Sequence, residues 1–510
     1  MKLGIEIANI TEAKADAIVV NLFEGVKKPA GGTGAVDKAL DGAISEELTK
    51  GKQFTGKLGD TLVLPTYGKL PARYVVVVGL GKSADTNSRS LRRAGAAAVR
   101  ACQKLKVKSV ATILHGAGIG GVAPEIAARL LAEGSLLGDY KFTLRKSAQK
   151  EDDSPKNPIT AITVYETDKT KKAALQKGMA TGTTIAQAVC QARDWVFDSA
   201  NNVTPSFLAG EAQKIAKGGT VTCKILDKAE LEKLGMGSFL SVAKGSVEPP
   251  KLIHLTYKPT GKAKKKVALI GKGITFDSGG LSLKPATAME LMKMDMSGAA
   301  AVINTMKAIA EIGNLDVEVH AIAPCCENMP NGNANKPGDI VTAMNGKTIE
   351  INNTDAEGRL ILCDALVYAQ EKIKPDEIID LATLTGACIV ALGKEASGIM
   401  GTSDKLSEGV RKAGDIAGER YWPLPLYDEF KEMLKSDVAD IINAGSKGQA
   451  GSSAGGIFLK DFVKDGQAWV HLDIAGPAWT DRDVPEVPKG ATGVGVRTLL
   501  YYLYGFKELT

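Results

Sequence analysis

The sequence predicts an α/β protein of two domains, of which the second is larger. Its 510 residues exceed the length that one hydrophobic core usually supports. In both halves, short β-branched runs alternate with longer amphipathic stretches, a pattern typical of sheets covered by helices. We therefore predict an amino-terminal α/β domain at residues 1–165, a connecting helix at 166–197, and a larger α/β domain with a mixed central sheet flanked by helices at 198–510.

The first domain is predicted from apolar runs separated by helical periodicity. Helical patterns cover residues 88–105 and 123–138, and a polar stretch at 144–158 is expected to be a loop near the end of the domain. The strand candidates are rich in Val and Ile and lie at 16–23, 60–65, 73–81, 109–116 and 159–166.

The second domain follows the same alternation. A small-residue helix is predicted at 296–312, and the helical pattern that leads into the domain covers about residues 168–197. Its strand candidates lie at 251–257, 266–274, 318–325, 377–386 and 468–476.

Composition excludes several classes of protein. The net charge of +6 is spread over 64 basic and 58 acidic residues, which is too balanced to indicate a nucleic-acid binder. No apolar run reaches the roughly 18 residues of a membrane span, and the amino terminus lacks the features of a secretory signal. Seven cysteines without CxxC spacing suggest reduced thiols. These features predict a cytoplasmic enzyme without a membrane partner.

Three stretches of the second domain carry unusual polar residues where apolar runs end. They are GKGITFDSGGLSLKP at 271–285, MKMDMSGAA at 292–300 and NTDAEGRL at 353–360. Ligands bind at strand ends in open α/β sheets, so these stretches are expected to meet. Converging carboxylates repel each other, which calls for protonation, ion pairs or metal ions. The candidates are Asp277, Asp295, Asp355 and Glu357 against Lys272, Lys284 and Arg359.

The third stretch predicts a corner from a strand into a helix. On an α-helix, residues two apart point about 200° away from each other, so Asp355 and Glu357 could not serve one site there. In an extended segment they lie on the same side. Gly358 is expected to permit the turn, and Leu360 begins a helical apolar stripe. The two carboxylates are therefore expected to converge on something positive.

The residue types narrow the chemistry. Because the three stretches contain no histidine, the sequence excludes an HExxH zinc protease and a convincing Ser-His-Asp triad. Carboxylates with water suit magnesium, manganese or zinc, and a carboxylate shared by two ions is typical of two-metal hydrolysis. An ion-pair network that stabilises loops is the alternative. The histidines lie elsewhere and are predicted to be hydrogen-bonded strand or loop residues: His115, His254, His320 and His471.

Two further blocks strengthen this interpretation, ENMPNGNANKPGDIV at 327–341 and HLDIAG at 471–476. Together with the three stretches, in this order and over about residues 194–500, they resemble the signature blocks of the leucyl aminopeptidase family, the cytosolic two-metal aminopeptidases that include bacterial aminopeptidase A. The resemblance implies a macro-like amino-terminal domain. It also implies a metal-dependent aminopeptidase that releases amino-terminal residues from peptides, with leucine and similar residues preferred.

By resemblance, the acidic candidates hold two divalent ions per subunit, Mn²⁺ or Zn²⁺, with Mg²⁺ as a further candidate. A lysine binds metal only as the neutral amine, so this implies a pKa of Lys272 far below its usual range. The implied ligands are Asp277 and Glu357 as bridges, Lys272 and Asp295 at the tighter site, and Asp355 at the exchangeable site.

The resemblance implies two catalytic residues and a set of substrate contacts. Lys284 stays protonated and hydrogen-bonds the developing oxyanion, while Arg359 holds a bicarbonate ion that relays a proton. Met292 lines the specificity pocket with two alanines, although core packing is an equal alternative for it. The glycine-rich segment 439–456 resembles a flexible loop near the entrance or is a plain surface loop. The substrate-binding positions are Met292, Asn353, Thr383, Leu384, Gly386, Ala475 and Ala478.

The resemblance further implies a homohexamer that acts on peptides. A second hypothesis, from another class, is DNA binding, because some bacterial relatives bind specific DNA. The sequence supports it weakly, since Arg92, Arg93 and Arg100 lie on an ordinary helix face.

Overall fold

A computed structural model of the chain describes residues 1–51, 54–145, 158–445 and 448–509. The chain divides into two units. One contains Met1–Gln187, Arg482–Lys489 and the end of the chain from Lys507, and the other contains Ala188–Asp481 and Gly490–Phe506. The predicted loop at 144–158 lies largely outside the described residues. The two-domain α/β architecture is confirmed, whereas the boundaries at 165 and 197 stay predictions.

The first unit is a mixed sheet with helices. Its strands are β1 (Lys2–Ile7), β2 (Ala17–Leu22), β3 (Thr61–Pro65), β4 (Tyr74–Gly79), β5 (Ser109–Thr112) and β6 (Ala161–Glu166). Its helices are α1 (Gly31–Ala39), α2 (Ala43–Lys50), α3 (Ser88–Lys104), α4 (Pro124–Asp139) and the first part of α5 (Lys172–Phe197), which continues into the second unit. The sheet order is β1-β6-β5-β2-β4-β3, and only the β3–β4 pair is antiparallel.

Strands β2 and β4 are mostly apolar because both faces of the sheet are covered. Val19 and Val76 belong to one hydrophobic cluster, whereas their sequence neighbours Ile18 and Val75 belong to another. Successive side chains of a strand point to opposite faces, so the two clusters are the two cores of this unit. The apolar runs predicted as strands at 16–23 and 73–81 are therefore internal strands of the sheet.

The second unit carries a larger sheet. Its strands are β7 (Val221–Leu226), β8 (Lys251–Tyr257), β9 (Lys266–Gly271), β10 (Gly273–Asp277), β11 (Glu318–Asn328), β12 (Asp339–Thr342), β13 (Thr348–Ile351), β14 (Glu377–Ala382), β15 (Ser397–Gly401), β16 (Tyr421–Pro423), β17 (Ile441–Ile442), β18 (Ala468–Asp473), β19 (Trp479–Thr480) and β20 (Gly490–Ala491). Its other helices are α6 (Pro205–Ala216), α7 (Lys228–Lys233), α8 (Gly237–Ala243), α9 (Ala286–Met289), α10 (Ser297–Ile312), α11 (Gly358–Tyr368), α12 (Gly386–Leu392), α13 (Asp404–Ala417), α14 (Gly451–Lys460) and α15 (Val496–Tyr504).

The main sheet of this unit has the order β16-β15-β18-β14-β9-β11-β8-β7, with β10 paired to β11. The four neighbours β18, β14, β9 and β11 are mutually parallel, whereas β8 runs antiparallel to β11, β7 to β8 and β15 to β18. A separate small sheet has the order β12-β13-β17. Parallel strands bring their carboxyl ends to one edge, where ligands bind in open α/β sheets.

Two sequence-based expectations concern residues away from this edge. All seven cysteines are free thiols, as predicted. Within the described ranges, no helix is long and apolar enough to cross a bilayer.

The prediction of hydrogen-bonded histidines is correct for three of the four. His254 Nε2 lies 2.9 Å from His320 Nδ1, and His471 Nδ1 lies 2.5 Å from Asp380 Oδ1. His115 is the exception, because both of its ring nitrogens are buried and lack a hydrogen-bond partner among the residues described. Burial lowers the pKa of His115 to about 4.

Candidate metal centre

The carboxyl ends of β9, β14 and β18 lie side by side and carry polar residues. Lys272 directly follows β9, Thr383 directly follows β14, and Asp473 ends β18. The start of α10 packs against this edge so closely that a Cβ on Gly298 would lie 2.2 Å from the Leu381 carbonyl oxygen. This contact brings Asp295, just before α10, to the same edge.

Lys272 lies in the first of the three predicted stretches and contacts carboxylates of the other two. Its Nζ lies 2.8 Å from Asp295 Oδ2 and 2.8 Å from Glu357 Oε1, and it donates a 2.9 Å hydrogen bond to the Thr383 carbonyl oxygen. The side chain is only 3% exposed. Burial lowers the pKa of Lys272, but attraction from Asp295, Glu357 and Asp277 outweighs burial and raises the pKa above its ordinary value. The resemblance implies a neutral Lys272 amine. Bound cations would have to oppose the attraction of the carboxylates to produce it, so the neutral amine stays a prediction.

Lys284 makes the second link. Its Nζ lies 2.8 Å from Asp277 Oδ2 and 2.5 Å from Asp355 Oδ1. The chain between Asp277 and Lys284 turns through Gly279, whose φ is +87° and whose Cβ would lie 2.8 Å from Asp355 Oδ1. Only glycine fits this left-handed, crowded position without strain. Asp277 is fixed further by a 2.8 Å hydrogen bond from Asn328 Nδ2.

The predicted corner between strand and helix is confirmed. β13 ends at Ile351, and α11 begins at Gly358, with Glu357 at the N-cap position but without a capping hydrogen bond from its side chain. The extended geometry expected for the two carboxylates is wrong, because Asp355 lies in a turn and Glu357 has helical backbone angles. The expected role of Gly358 is wrong, because this residue is the first of the helix and not a residue of the turn. A Cβ there would lie 2.7 Å from both Cε and Nζ of Lys272, so glycine is required for the close approach of that lysine.

The corner and the glycine-rich loop bring carboxylates together. One oxygen from each of Asp277, Asp355 and Glu357 lies within 4.8 Å of the others. Burial together with repulsion from Glu357 raises the pKa of Asp277 above its ordinary value, and Lys284 offsets this only in part. Burial also raises the pKa of Asp295 despite the contact with Lys272. The cluster is therefore short of positive charge.

These donors fit divalent cations. Glu357 Oε2 is buried and has no hydrogen-bond partner in the part of the chain that the structure describes. A buried carboxylate oxygen without a partner is unfavourable, and hard oxygen donors of this kind suit Mg²⁺, Mn²⁺ or Zn²⁺. The alternative interpretation, an ion-pair network that stabilises loops, is also represented, because Lys272 and Lys284 pair with carboxylates of the cluster. Two ammonium groups do not balance four carboxylates, however, and an additional cation removes the imbalance.

Arg359 occupies a buried position beside the cluster. Its Nη1 donates a 2.7 Å hydrogen bond to the Asn443 carbonyl oxygen, and its guanidinium lies 5.8 Å from the centre of the Phe458 ring. Burial lowers the pKa of Arg359 to about 10, although Glu357 and Asp473 oppose this shift, so the group stays charged at neutral pH. Its Nε is buried and, among the described residues, has no acceptor.

The residues expected to bind substrate fall into two groups. Thr383 and Asn353 contact the cluster, because Thr383 Oγ1 donates to Asp295 Oδ1 over 2.7 Å and the Asp355 amide donates to Asn353 Oδ1 over 2.9 Å. The others flank it: the exposed Gly386 begins α12, Met292 is half-buried, and Leu384, Ala475 and Ala478 follow strands β14 and β18.

Sequence reasoning missed two buried residues that support the site. The Asp473 carboxylate accepts hydrogen bonds from the amides of Leu384, Thr385 and Ala475 at 3.2, 3.4 and 3.3 Å, and from Thr385 Oγ1 at 2.7 Å. Asn443 contacts the segment that carries Asp355 and Glu357. The acidic residue in HLDIAG is a signal for Asp473 in the sequence, whereas Asn443 lies in a segment predicted to be a loop.

The segment 439–456 is not the simple loop that was expected. It contains the short strand β17 and the first residues of helix α14. A Cβ on Gly455 would lie 3.1 Å from Leu384 Cδ2, 3.2 Å from Thr385 Cγ2 and 3.5 Å from Arg359 Nη2. The glycines of this helix therefore permit close packing against the site. Ser446 and Lys447 lie outside the described residues.

Comparisons with known proteins identify the family of the chain. The model for the catalytic domain of the cytosol aminopeptidase family matches residues 190–500, and the model for the family's N-terminal domain matches residues 19–149. A probable cytosol aminopeptidase from a Geobacter species is 45% identical over 99% of this chain and 99% of its own length.

Two solved structures are similar over almost the full length. A mutant of tomato leucine aminopeptidase has a TM-score of 0.86 and 36% identity, covering 99% of this chain and 97% of its own. The bottromycin maturation enzyme BotP in complex with Mn has a TM-score of 0.84 and 34% identity, covering 96% of this chain and 99% of its own. The family resemblance seen in the sequence is thus confirmed, and the chain belongs to the cytosol aminopeptidase family.

Proposed function

We propose that this metal-dependent aminopeptidase binds two divalent cations at the cluster and releases amino-terminal residues, with leucine and similar side chains preferred. The convergence of three carboxylates around a buried, unpaired Glu357 oxygen carries the proposal. The Mn-bound state of the structurally similar BotP supports the choice of metal, Mn²⁺ or Zn²⁺, with Mg²⁺ as a further candidate. The residues that would hold the ions are Lys272, Asp277, Asp295, Asp355 and Glu357.

Bound cations supply Lewis acidity and lower the pKa of water, which is the chemistry that amide hydrolysis needs. The protein side chains complete this environment. Lys284 is the proposed donor to the developing oxyanion of the scissile carbonyl group. Burial lowers the pKa of Lys284, but attraction from Asp277 and Glu357 outweighs it and raises the pKa, so the ammonium keeps its protons.

Arg359 is proposed to hold a bicarbonate ion that relays a proton, in place of the absent histidine base. The buried Nε supports this role, because it has no acceptor in the described structure while Nη1 is already bonded to Asn443. A buried guanidinium with an open donor is suited to a small planar anion. The free amino group at the start of a peptide would bind one of the two cations, which would restrict cleavage to the amino end.

Substrate positioning is proposed for the strand ends around the cluster. Thr383, Leu384 and Gly386 follow β14 and are suited to bind the peptide backbone, while Asn353 lies beside Asp355. The side chain of the released residue is proposed to contact three apolar residues, which would favour leucine and methionine. They are Met292, Ala475 and Ala478.

A cytoplasmic homohexamer is part of the proposal, as is the division into residues 1–165, 166–197 and 198–510. The family name supports the location, and light scattering of the purified protein tests the assembly. The DNA-binding alternative gains no support. Arg92 is 1% exposed and pairs with Glu133, and Arg100 pairs with Asp483. A gel-shift titration that shows no salt-sensitive retardation of DNA would exclude the DNA-binding hypothesis.

The proposal is tested by hydrolysis of leucine p-nitroanilide by chelator-stripped protein before and after addition of Mn²⁺ or Zn²⁺. N-acetylleucine p-nitroanilide controls for the free amino group, and a phosphate ester controls for phosphohydrolase activity. We expect activity only on the free-amine substrate and only with metal. Glu357→Gln should abolish nearly all turnover while the fold persists, whereas Glu232→Gln, on the exposed face of α7, serves as the matched control. Metal-independent turnover, or full turnover in Glu357→Gln, would contradict the assignment.

A further inference from the structure

Asn443 lies where two short strands bring distant parts of the chain together. β17 pairs in parallel with β13, and the Asn443 amide continues this ladder with a 2.9 Å hydrogen bond to the Glu350 carbonyl oxygen. The chain beyond β13 is the segment that leads to Asp355 and Glu357. The Asn443 side chain is completely buried and points to this segment.

All of the side-chain hydrogen bonds of Asn443 go to the backbone of that segment. Its Nδ2 donates to the carbonyl oxygens of Asn353 at 2.7 Å and Ala356 at 3.3 Å. Its Oδ1 accepts from the amides of Asn352 at 3.0 Å and Asn353 at 3.3 Å. Two carbonyl groups face the donor atom and two amide groups face the acceptor atom, so an amide side chain is required and its orientation is unambiguous.

The main chain of Asn443 makes one more contact with the site. Its carbonyl oxygen accepts the 2.7 Å hydrogen bond from Arg359 Nη1. One buried residue therefore contacts both the segment that carries two carboxylates and the arginine that follows them. Of the residues whose carbonyl groups it binds, Ala356 directly precedes Glu357, and Asn353 is separated from Asp355 by one residue.

A support of this kind is needed because the site is electrostatically unfavourable. Asp277, Asp355 and Glu357 repel each other, and this repulsion favours movement of residues 352–357 away from the sheet. The four hydrogen bonds of Asn443 oppose that movement through the backbone and do not use any carboxylate oxygen. The oxygens therefore stay available for cations.

We propose that Asn443 is a positioning residue that holds residues 352–357 against β17, so that Asp355 and Glu357 face Asp277 before a metal ion binds. The inference rests on the proposed function and deepens it. Residues that orient metal ligands typically contribute about 10- to 100-fold to metal affinity or activity. We expect losses of this size for Asn443→Ala. Asn443→Asp keeps the shape and the acceptor but turns an anion toward two carbonyl groups, so its loss should be at least as large.

The experiment measures Mn²⁺ binding to chelator-stripped full-length protein by calorimetry. Wild type is compared with Asn443→Ala, Asn443→Asp and the control Asn352→Ala. The control removes two side-chain bonds to Ala444 between the same segments but lies at an exposed position. We expect about 10- to 100-fold weaker Mn²⁺ binding in both Asn443 variants, a change of less than about twofold in the control, and recovery of turnover at high Mn²⁺.

Two outcomes would overturn the inference. One is wild-type Mn²⁺ affinity in the Asn443 variants, and the other is an equal loss in Asn352→Ala. Turnover that stays low at saturating Mn²⁺ would show a general structural defect instead. Wild-type protein that binds no Mn²⁺ would overturn the proposed function and not only this inference.

A measurement on the wild type covers the case in which the variants do not fold. Amide hydrogen exchange of the peptide containing residues 352–356 is followed in metal-free protein. Because Asn443 holds the amides of Asn352 and Asn353, we expect slow exchange without metal. Fast exchange that becomes slow only with Mn²⁺ would show that metal, and not Asn443, orders the corner.

Discussion

The smallest substitution at the site tests how closely Lys272 must approach α11. In Gly358→Ala, the new Cβ would lie 2.7 Å from Cε and Nζ of Lys272 and 2.9 Å from its Cδ. Because Lys272 is only 3% exposed, its ammonium cannot move into solvent and must leave at least one of its partners Asp295, Glu357 and Thr383. A hydrogen bond to a charged group contributes about 1.5–3 kcal/mol, so we expect kcat/KM to fall about 10- to 150-fold.

Stability should fall less than activity. Replacing glycine by alanine in a helix gains about 0.5–1 kcal/mol, which offsets part of the cost of the contact. The assay is hydrolysis of leucine p-nitroanilide at saturating Mn²⁺, together with Mn²⁺ affinity and thermal unfolding. Gly210→Ala is the matched control, because this glycine lies inside α6 and its Cβ would meet nothing within 4 Å. Wild-type kcat/KM and metal affinity in Gly358→Ala would refute the reasoning.

Three further expectations follow from other parts of the molecule. Lys284→Met should lower kcat about 10²- to 10³-fold with little change in KM in steady-state kinetics, because it removes one oxyanion donor. Asp473→Ala leaves three amides without an acceptor and should lower kcat/KM about 10- to 100-fold. Asp473→Asn keeps one acceptor oxygen and should lower kcat/KM less. Equal losses in the two variants would contradict the positioning role of Asp473. The buried His115, with a pKa of about 4, binds fewer protons folded than unfolded, so stability falls as the pH drops from about 6.5 toward 4. Urea unfolding at about pH 7.5 and pH 5 should show that His115→Leu removes about 2 kcal/mol of this loss.

The sequence predicted those elements whose pattern is local. The run at 73–81 is a central strand because its side chains are covered on both faces, and its uniform apolar character shows this directly. β13 and β17 were missed because four and two residues carry no usable periodicity. The sequence predicts a loop in place of the start of α14 because this segment is rich in glycine. Gly456 shows why a helix forms there, since its Cβ would lie 2.7 Å from Met400 Sδ, and tight packing outweighs low helix propensity.

The residues of the site, like the strands and helices, could be predicted only where their pattern is local. Asp355 and Glu357 could be assigned to one pocket because their spacing and the following helix are written in eight consecutive residues. Asn443 lies about ninety positions from the backbone groups that it bonds, and Asp473 is equally far from Leu384. Their hydrogen-bond partners depend on how β17 pairs with β13 and how β18 pairs with β14. A local sequence pattern does not predict these strand pairings. Supporting residues of this kind are visible only after the strands have been paired.

The two lysines of the cluster differ in a way that residue type does not reveal. Lys272 Nζ is enclosed by oxygen atoms of Asp295, Glu357 and Thr383, and its side chain is almost completely buried. Lys284 Nζ has only Asp277 and Asp355 among the residues described, and its side chain is 16% exposed. Lys284 is therefore the more accessible of the two, which supports its proposed role toward the oxyanion, whereas Lys272 is enclosed by the residues of the proposed metal centre.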